Sequence, residues 1–340
     1  MTLLTWQALT LQLVNPFRVS YGSSDTRQAF WIRLAGDEGW GEGTIPFYYN
    51  IPNEAMTAFW DETARRSGPL PDDPADIPAW VGQVGPSPAR CAVDMALHDR
   101  IARQRGLPLY QLLGLPEPKP MISSFTISIA EPDEMAKMAL DIPQYSIIKI
   151  KLGGDNRDEA RLAAIRAARP DARLRVDANA GWDAEGAARL VERLEQYDLE
   201  LVEQPVGKDD FDGMGFVQKH TRLPIAADES VRTLEDIEKL AAVGVKAVNL
   251  KLMKVGGLAP AVKMLRRARE LGMQVMLGCM IETSIGITAM AHLMGLADWV
   301  DLDAPILISN DPFDGAHFSP QAEISLPARP GIGALLKTAP

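Results

Sequence analysis

The sequence is poor in the features that mark secreted and membrane proteins. Its 340 residues include only two cysteines, Cys91 and Cys279, which is too few for the disulfide framework of a secreted domain. No apolar run reaches the roughly 18 residues that a membrane-spanning helix needs. The opening stretch MTLLTWQALTLQLVNPF lacks the charged start and apolar block of a signal peptide. We therefore predict a cytoplasmic protein that has no membrane partner.

Basic residues are fewer than acidic ones, and histidine is scarce. The formal net charge is −10, which argues against nucleic acid as a partner because phosphates require basic patches. The four histidines fall in predicted helices or in the tail, so a histidine base at the end of a strand is not expected. The sequence contains none of the glycine-rich or serine motifs of nucleotide-binding proteins and serine hydrolases.

What the sequence does contain is a repeat of about 25 residues in which short apolar strands alternate with helical stretches. This alternation is typical of parallel βαβ units. Eight strands with seven intervening helices predict an α/β fold, a modified TIM barrel of (β/α)7β type, over residues 120–310. The predicted strands are 123–128, 146–152, 173–179, 199–205, 223–230, 247–252, 274–280 and 299–305.

Residues 1–115 show a different residue pattern from the barrel. The stretches TWQALTLQL, QAFWIRLAG and GWGEG predict an antiparallel meander, and two helical stretches follow at 53–66 and 87–104. We expect an α+β capping domain, joined to the barrel by the proline-rich segment 115–120. The tail at about 315–340 is expected to complete this domain, with EISLPA as a strand that returns to it.

Ionisable residues end most of the barrel strands, and in this fold all strand ends meet at one mouth. Lys149 and Lys151 lie two apart, so a strand directs both side chains to the same face. Inside a barrel each would need an anionic partner, whereas at a strand end both would extend to solvent. The sequence leaves these two alternatives open.

Three carboxylates, Asp177, Glu203 and Asp228, end successive strands. Carboxylates held this close repel one another unless a cation lies between them, and three oxygen ligands without histidine or cysteine favour Mg²⁺. The alternative is that each acid caps the following helix. That alternative explains all three poorly, because each lies within or directly after an apolar strand.

Lys251 ends the sixth strand and should face Lys151 across the mouth. Two opposed lysines that flank a divalent metal suit the removal of a proton from one face of a carbon acid and its return to the other. The alternative for Lys251 is an ion pair with Glu229. Asp301 and Asp303 share a face of the last strand and suit a cationic group such as an ammonium. Glu282, just beyond the seventh strand, is expected to reach the site.

As a set, the motifs KIKLGG, RVDANAGW, LVEQP, IAADES and NLKLMKVGG resemble the enolase superfamily, in the branch of the muconate lactonizing enzymes, and GWGEG and RCAVDMALHD resemble its capping domain. The likeness covers nearly the whole chain. It implies an isomerase with one Mg²⁺ per subunit. The implied metal ligands are Asp177, Glu203 and Asp228; the implied acid/base catalysts are Lys151 and Lys251, with Lys149 assisting. Asn179 and Glu229 are expected just behind the ligands.

Within that branch, Asp301 and Asp303 resemble the mark of dipeptide epimerases, in which two aspartates bind the substrate's α-ammonium. The implied reaction is a 1,1-proton transfer at the α-carbon of the C-terminal residue. Gly22 stands where the Ala-Glu epimerases carry a specificity arginine, and Arg18 or Arg27 would have to replace it. Tyr48, with its neighbours Phe47 and Tyr49, predicts a pocket for a hydrophobic or cationic second residue rather than glutamate.

Four alternatives compete with this prediction. Within the family, the alternatives are a muconate-type cycloisomerase, an o-succinylbenzoate synthase or an N-acylamino acid racemase, whose substrates carry no ammonium for Asp301 and Asp303. From a different class, a barrel without catalytic activity would keep several buried charges at a cost in stability and without a use. Capped barrels of this kind often pair, so a homo-oligomer is also compatible with the sequence.

Overall fold

The computed structural model describes residues 2–19, 22–45, 49–153 and 155–337. The chain begins with an antiparallel sheet in the order β1-β2-β3, formed by Leu4–Val19, Gly22–Leu34 and Trp40–Thr44. Residues 16–19 and 22–25 belong to the far end of the β1–β2 hairpin, in which Phe17 pairs with Ser24 and Val19 with Gly22.

The GWGEG motif forms β3 because its glycines allow a helix to approach very closely. A Cβ at Gly41 would lie 1.9 Å from the carbonyl oxygen of Ala92 on the longest helix of this part, so no larger residue fits there. Trp40 and Glu42 alternate with the glycines and are both buried. The helices of this part are α1 (Asn53–Ala64), α2 (Ile77–Val81), α3 (Ser87–Gln104) and α4 (Leu109–Leu112).

The predicted barrel is confirmed. After the short β4 (Met121–Ile122), eight strands form one parallel sheet in which neighbours in sequence are neighbours in space. Its strands are β5 (Phe125–Ile127), β6 (Ile147–Lys151), β7 (Arg173–Asp177), β8 (Leu199–Glu203), β9 (Ile225–Ala227), β10 (Ala247–Leu250), β11 (Gln274–Gly278) and β12 (Trp299–Asp301). The helices are α5 (Pro132–Leu140), α6 (Asp158–Ala168), α7 (Ala184–Leu194), α8 (Phe211–Lys219), α9 (Leu234–Ala242), α10 (Leu252–Val255), α11 (Leu258–Glu270), α12 (Ser284–Ala291) and α13 (Ala304–Leu307).

Strand β6 shows how alternation separates packing from chemistry. Ile148 and Ile150 are fully buried in the layer between sheet and helices, where each contributes about 1.5–3 kcal/mol of hydrophobic stabilisation. Lys149 and Lys151, one residue on in each case, point into the barrel. The barrel therefore has an apolar outer layer and a charged interior at its mouth.

Side chains help to close the ring between its first and last strands. The amide of Ser124 donates to the carbonyl of Val300 at 3.4 Å, and its hydroxyl donates to Asp301 Oδ1 at 2.6 Å. The amide of Thr126 donates to Asp303 Oδ2 at 2.9 Å. Both aspartates of the last strand thus contribute to the closure.

The tail forms short strands. EISLPA does contain one, β15 (Glu323–Ser325), but it pairs with β14 (His317–Phe318) and β4 rather than with the first sheet. β13 (Phe313–Asp314) pairs with β16 (Leu335–Leu336). Ile332 donates its amide to Asp99 of α3, so the tail does touch the capping region. No helix in the described part of the chain is long and apolar enough to cross a membrane.

Candidate active site

Three carboxylates converge at the barrel mouth. Asp177 and Glu203 end β7 and β8, and Asp228 directly follows β9; all three are almost completely buried. One oxygen from each lies within 4.8 Å of the others. The helices that follow are capped instead by Asp183, Asp210 and Thr233, which excludes the alternative that the trio consists of helix caps.

Lys149 lies among these acids. Its Nζ is 3.0 Å from Asp177, 2.8 Å from Glu203 and 2.7 Å from Asp301, and only 2% of its side chain is exposed. Burial lowers the pKa of Lys149, but the charges of the three acids raise it well above its ordinary value. Lys149 therefore stays an ammonium, and the alternative of a lysine extending to solvent is excluded.

Lys151 and Lys251 lie on opposite sides of the trio. β6 and β10, which carry them, are separated by three strands in either direction around the ring. Lys151 Nζ is 2.6 Å from Asp177, and Lys251 Nζ is 2.8 Å from Asp228. Lys251 is thus paired with a member of the trio and not with Glu229, which was the alternative from sequence. Burial lowers the pKa of Lys251, but Asp228 raises it above its ordinary value.

The three carboxyl groups differ in how far neighbouring lysines offset the effect of burial on their pKa values. Burial raises the pKa of Asp177, but Lys149 and Lys151 lower it to about 2, and two lysines likewise hold the pKa of Asp228 below its ordinary value. Burial and the charge of Asp177 raise the pKa of Glu203 to about 8. An all-oxygen set that retains a proton at neutral pH is chemically suited to a hard divalent cation. The residues therefore fit Mg²⁺.

A second layer of side chains orients the trio. Asn249 donates from Nδ2 to Glu203 Oε1 at 2.8 Å, and Lys254 donates to both the carboxylate and the carbonyl of Asp228. Neither residue was predicted from sequence. The available signal was the apolar run NLKLMKV, in which Lys254 follows Lys251 by three residues and is completely buried. A lysine in that position requires an anionic partner.

Asn179 and Glu229 lie beside the acidic trio. The amide of Asn179 donates to Asp177 Oδ1 at 2.9 Å, and its side chain donates to Glu229 Oε1 at 3.1 Å. The backbone of Asn179 has a φ of 43°, in the left-handed region that asparagine tolerates better than most residues. Burial, followed by the charge of Asp228, raises the pKa of Glu229 to about 7.

Asp301 and Asp303 differ in their surroundings. Asp301 accepts from both Lys149 and Ser124, whose donors hold its pKa below the ordinary value although burial raises it. Asp303 is hydrogen-bonded to the amide of Thr126, and burial and the charge of Asp301 raise its pKa to about 7. Among the described residues Asp301 is ion-paired with Lys149, whereas Asp303 forms no ion pair.

The structure describes only part of the two capping segments. Tyr48, its neighbour Phe47 and the side chain of Arg18 lie outside the described part. Gly22 lies at the end of the β1–β2 hairpin, and Arg27 lies opposite Leu11 in the same hairpin. Tyr49 is half-buried near Asp228 and Lys251, and burial, then the charge of Asp228, raises its pKa.

Comparison with known proteins identifies the family. Residues 133–339 match the family described as enolase C-terminal domain-like. Residues 82–114 match the mandelate racemase / muconate lactonizing enzyme N-terminal domain. The chain belongs to the enolase superfamily. The resemblance seen in its motifs is thereby confirmed.

Individual relatives extend over almost the whole chain. The L-Ala-D/L-Glu epimerase of Bacillus subtilis is 35% identical, over 97% of this chain and 96% of its own. The hydrophobic dipeptide epimerase of Roseobacter litoralis is 37% identical, over 95% and 96%. The crystal structure of a dipeptide epimerase from Enterococcus faecalis, complexed with Mg and L-Leu-L-Tyr, superposes with a TM-score of 0.91 at 30% identity, over 98% and 99%. Epimerases are isomerases, so the predicted enzyme class is confirmed.

Proposed function

We propose that this protein is a Mg²⁺-dependent dipeptide epimerase, which transfers a proton at the α-carbon of the substrate's C-terminal residue. The observation that carries the proposal is that Lys151 and Lys251 approach the acidic trio from opposite strands, each paired with a different acid. A carbon held between two such lysines can lose its proton to one amine and receive a proton from the other. The reverse reaction exchanges the two roles.

The trio would hold the metal through Asp177, Glu203 and Asp228. When bound there, Mg²⁺ acts as a Lewis acid toward a substrate carboxylate and so makes the adjacent C–H more acidic. Lys149, permanently charged and in contact with two of the three acids, adds positive charge on the side of Lys151. That charge stabilises negative charge that develops on the substrate.

The acids on the last strand favour a dipeptide over the rival substrates. Asp303 forms no ion pair in the described part of the chain, and a substrate ammonium would supply a cation beside Asp303 and Asp301. Substrates of o-succinylbenzoate synthases and cycloisomerases bring carboxylates without an ammonium, which these two acids would repel. N-acylamino acids lack the ammonium as well.

The second residue of the dipeptide is proposed to be hydrophobic or cationic rather than glutamate. Gly22 has no side chain with which to hold a carboxylate at the end of the hairpin. Tyr49 supplies a half-buried aromatic ring near the mouth, which suits apolar or cationic groups. Relatives named for glutamate and for hydrophobic dipeptides are 35% and 37% identical, so identity alone does not choose between them.

The proposal is tested by incubating an L,L-dipeptide library with the protein and Mg²⁺ in D₂O and measuring the products by mass spectrometry. We expect a gain of one deuterium in a subset of dipeptides and none in their N-acetylated counterparts, which lack the ammonium. The same library with EDTA is the metal control. Exchange in N-acetyl amino acids but not in dipeptides would favour the N-acylamino acid racemase instead. Glutamate as the best second residue would contradict the proposed preference.

Replacing Asn249 by leucine is expected to weaken Mg²⁺ binding by about 10–100-fold, the usual effect of losing a residue that orients a metal ligand. Asn249 is uncharged, so its loss removes the hydrogen bond to Glu203 without altering the charge of the site. Isothermal titration with Mg²⁺ alone measures the change. Gln218→Leu is the matched control, because this buried amide accepts from Ile225 and Lys246 at the opposite end of the strands. Equal affinity in Asn249→Leu and the wild type would refute the orienting role.

A further inference from the structure

Glu42 of the capping sheet reaches into the barrel. It is completely buried, and its carboxylate accepts four hydrogen bonds. Oε1 accepts from the amide of Thr283 at 2.9 Å and the hydroxyl of Thr44 at 3.1 Å. Oε2 accepts from the hydroxyl of Thr283 at 2.6 Å and the amide of Gly286 at 3.0 Å. Three of these four donors belong to the start of α12, so an acid of the capping sheet accepts hydrogen bonds that this barrel helix leaves open at its N-terminus.

The segment that Glu42 holds is part of the wall of the mouth. Residues 279–283 connect the end of β11 with α12, between β10, which precedes Lys251, and β12, which ends in Asp301. Cys279 contacts the carbonyl of Asp301 through its sulfur at 3.4 Å. Ile281 packs against Leu11 and Ala29 of the hairpin. A shift of this segment would therefore displace residues at the ends of both neighbouring strands.

Glu282 lies beside Glu42 in the same buried space. A Cβ on Gly286 would lie 2.3 Å from Glu282 Oε2 and 3.2 Å from Glu42 Oε2. The two acids therefore occupy the space that a side chain at this position would fill. Burial raises the pKa of Glu42, although its hydrogen bonds from Thr283 and Gly286 lower it. Burial, followed by the charge of Glu42, raises the pKa of Glu282 to about 8, although Lys251 acts in the opposite direction. Glu282, predicted from sequence to reach the site, thus lies beside Glu42 and accepts a hydrogen bond from the amide of Met280 at 2.7 Å.

We propose that Glu42 is a positioning residue for the reaction: from the capping sheet it fixes residues 279–283 and thereby the wall of the mouth between Lys251 and Asp301. The effect on catalysis rests on the proposed function. The restraint that Glu42 places on residues 279–283 does not depend on that function, because it follows from the four hydrogen bonds. Proton transfer requires the lysine and the substrate to be placed to within about half an ångström, so loosening this wall should slow the reaction more than it weakens substrate binding.

Glu42→Gln tests the proposal, because the amide cannot accept all four hydrogen bonds. Asp99→Asn is the matched control: Asp99 is also a buried carboxylate of the capping region, but it accepts from the amides of Trp40 and Ile332, away from residues 279–283. Hydrogen–deuterium exchange is measured on peptides that cover residues 274–290. In Glu42→Gln the amides of Met280, Thr283 and Gly286 should exchange about tenfold faster or more, as expected for the loss of a buried hydrogen bond. In Asp99→Asn they should keep their wild-type rates.

The kinetic readout is kcat against KM for a dipeptide found in the library. We expect kcat to fall about tenfold or more in Glu42→Gln, with KM changed less than kcat, and no such split in Asp99→Asn. Thr44→Val, which removes one of the four hydrogen bonds to Glu42, should give a smaller effect on the same peptides and serves if Glu42→Gln does not fold. Wild-type exchange across 274–290 in the folded Glu42 variant, or an equal loss of kcat in Asp99→Asn, would overturn the proposal. Hydrogen–deuterium exchange of the backbone amides needs no substrate. If no dipeptide of the library reacted, the proposed function would be rejected, but this exchange test would still apply.

Discussion

Replacing Lys151 or Lys251 singly by alanine is expected to slow epimerisation by about a thousandfold or more, within the range by which a positioned acid or base contributes to catalysis. Each lysine serves one face of the α-carbon, so the loss of either removes one half of the proton transfer. The rate is measured as the appearance of the L,D-dipeptide from the L,L-dipeptide at saturating Mg²⁺. Lys263→Ala, an exposed lysine on α11, is the control for the loss of a lysine as such.

The two variants should nevertheless retain a half-reaction. Removing the α-proton needs only the lysine that faces it, so each variant should still exchange that proton with D₂O, starting from one diastereomer only. The diastereomer that exchanges should differ between Lys151→Ala and Lys251→Ala, because the two lysines lie on opposite sides of the trio. Full epimerisation by both variants would exclude the two-base scheme.

Sequence predicted the barrel and the contents of its mouth for one physical reason. Strands of period two bury one face against helices, so the residues on the other face at each strand's end must meet at the mouth. Asp177, Glu203 and Asp228 are 26 and 25 residues apart in sequence, yet their oxygens lie within 4.8 Å. The spacing alone predicts that proximity once the fold is known.

Sequence could not predict which partners each charge would take. The ion pair of Lys251 with Asp228 rather than Glu229, and the contact of Lys254 with the same acid, depend on side-chain orientations at the ends of β9 and β10. The role of Glu42 was hidden for another reason. Its partners at the start of α12 lie more than 200 residues away, and no local pattern links GWGEG to that helix. Contacts between distant parts of the chain depend on how the two parts pack.

Replacing Glu203 by glutamine is expected to weaken Mg²⁺ binding by about 100-fold or more, because it removes the charge of a ligand and replaces one of its two oxygens by an amide nitrogen. Isothermal titration with Mg²⁺ measures the affinity. Glu200→Gln is the matched control, since Glu200 lies on the same strand but pairs with Arg173 and Arg175. An affinity in Glu203→Gln equal to that of the wild type would remove Glu203 from the set of metal ligands.

The same residue predicts how metal binding depends on pH. Glu203 has a pKa of about 8 without the ion, so at lower pH it holds a proton that Mg²⁺ must displace. The affinity should therefore fall by about tenfold for each pH unit below 8, since one pKa unit corresponds to a factor of ten in the equilibrium. Titrations at pH 7 in two buffers of different ionisation enthalpy should reveal the release of close to one proton per ion, and little release at pH 9. Glu203→Gln has no proton to lose at this position. Mg²⁺ should therefore bind this variant more weakly and without releasing this proton. Release of a proton by the variant at pH 7 would assign the titration to another of the buried acids, of which Glu229 and Asp303 have a raised pKa of about 7.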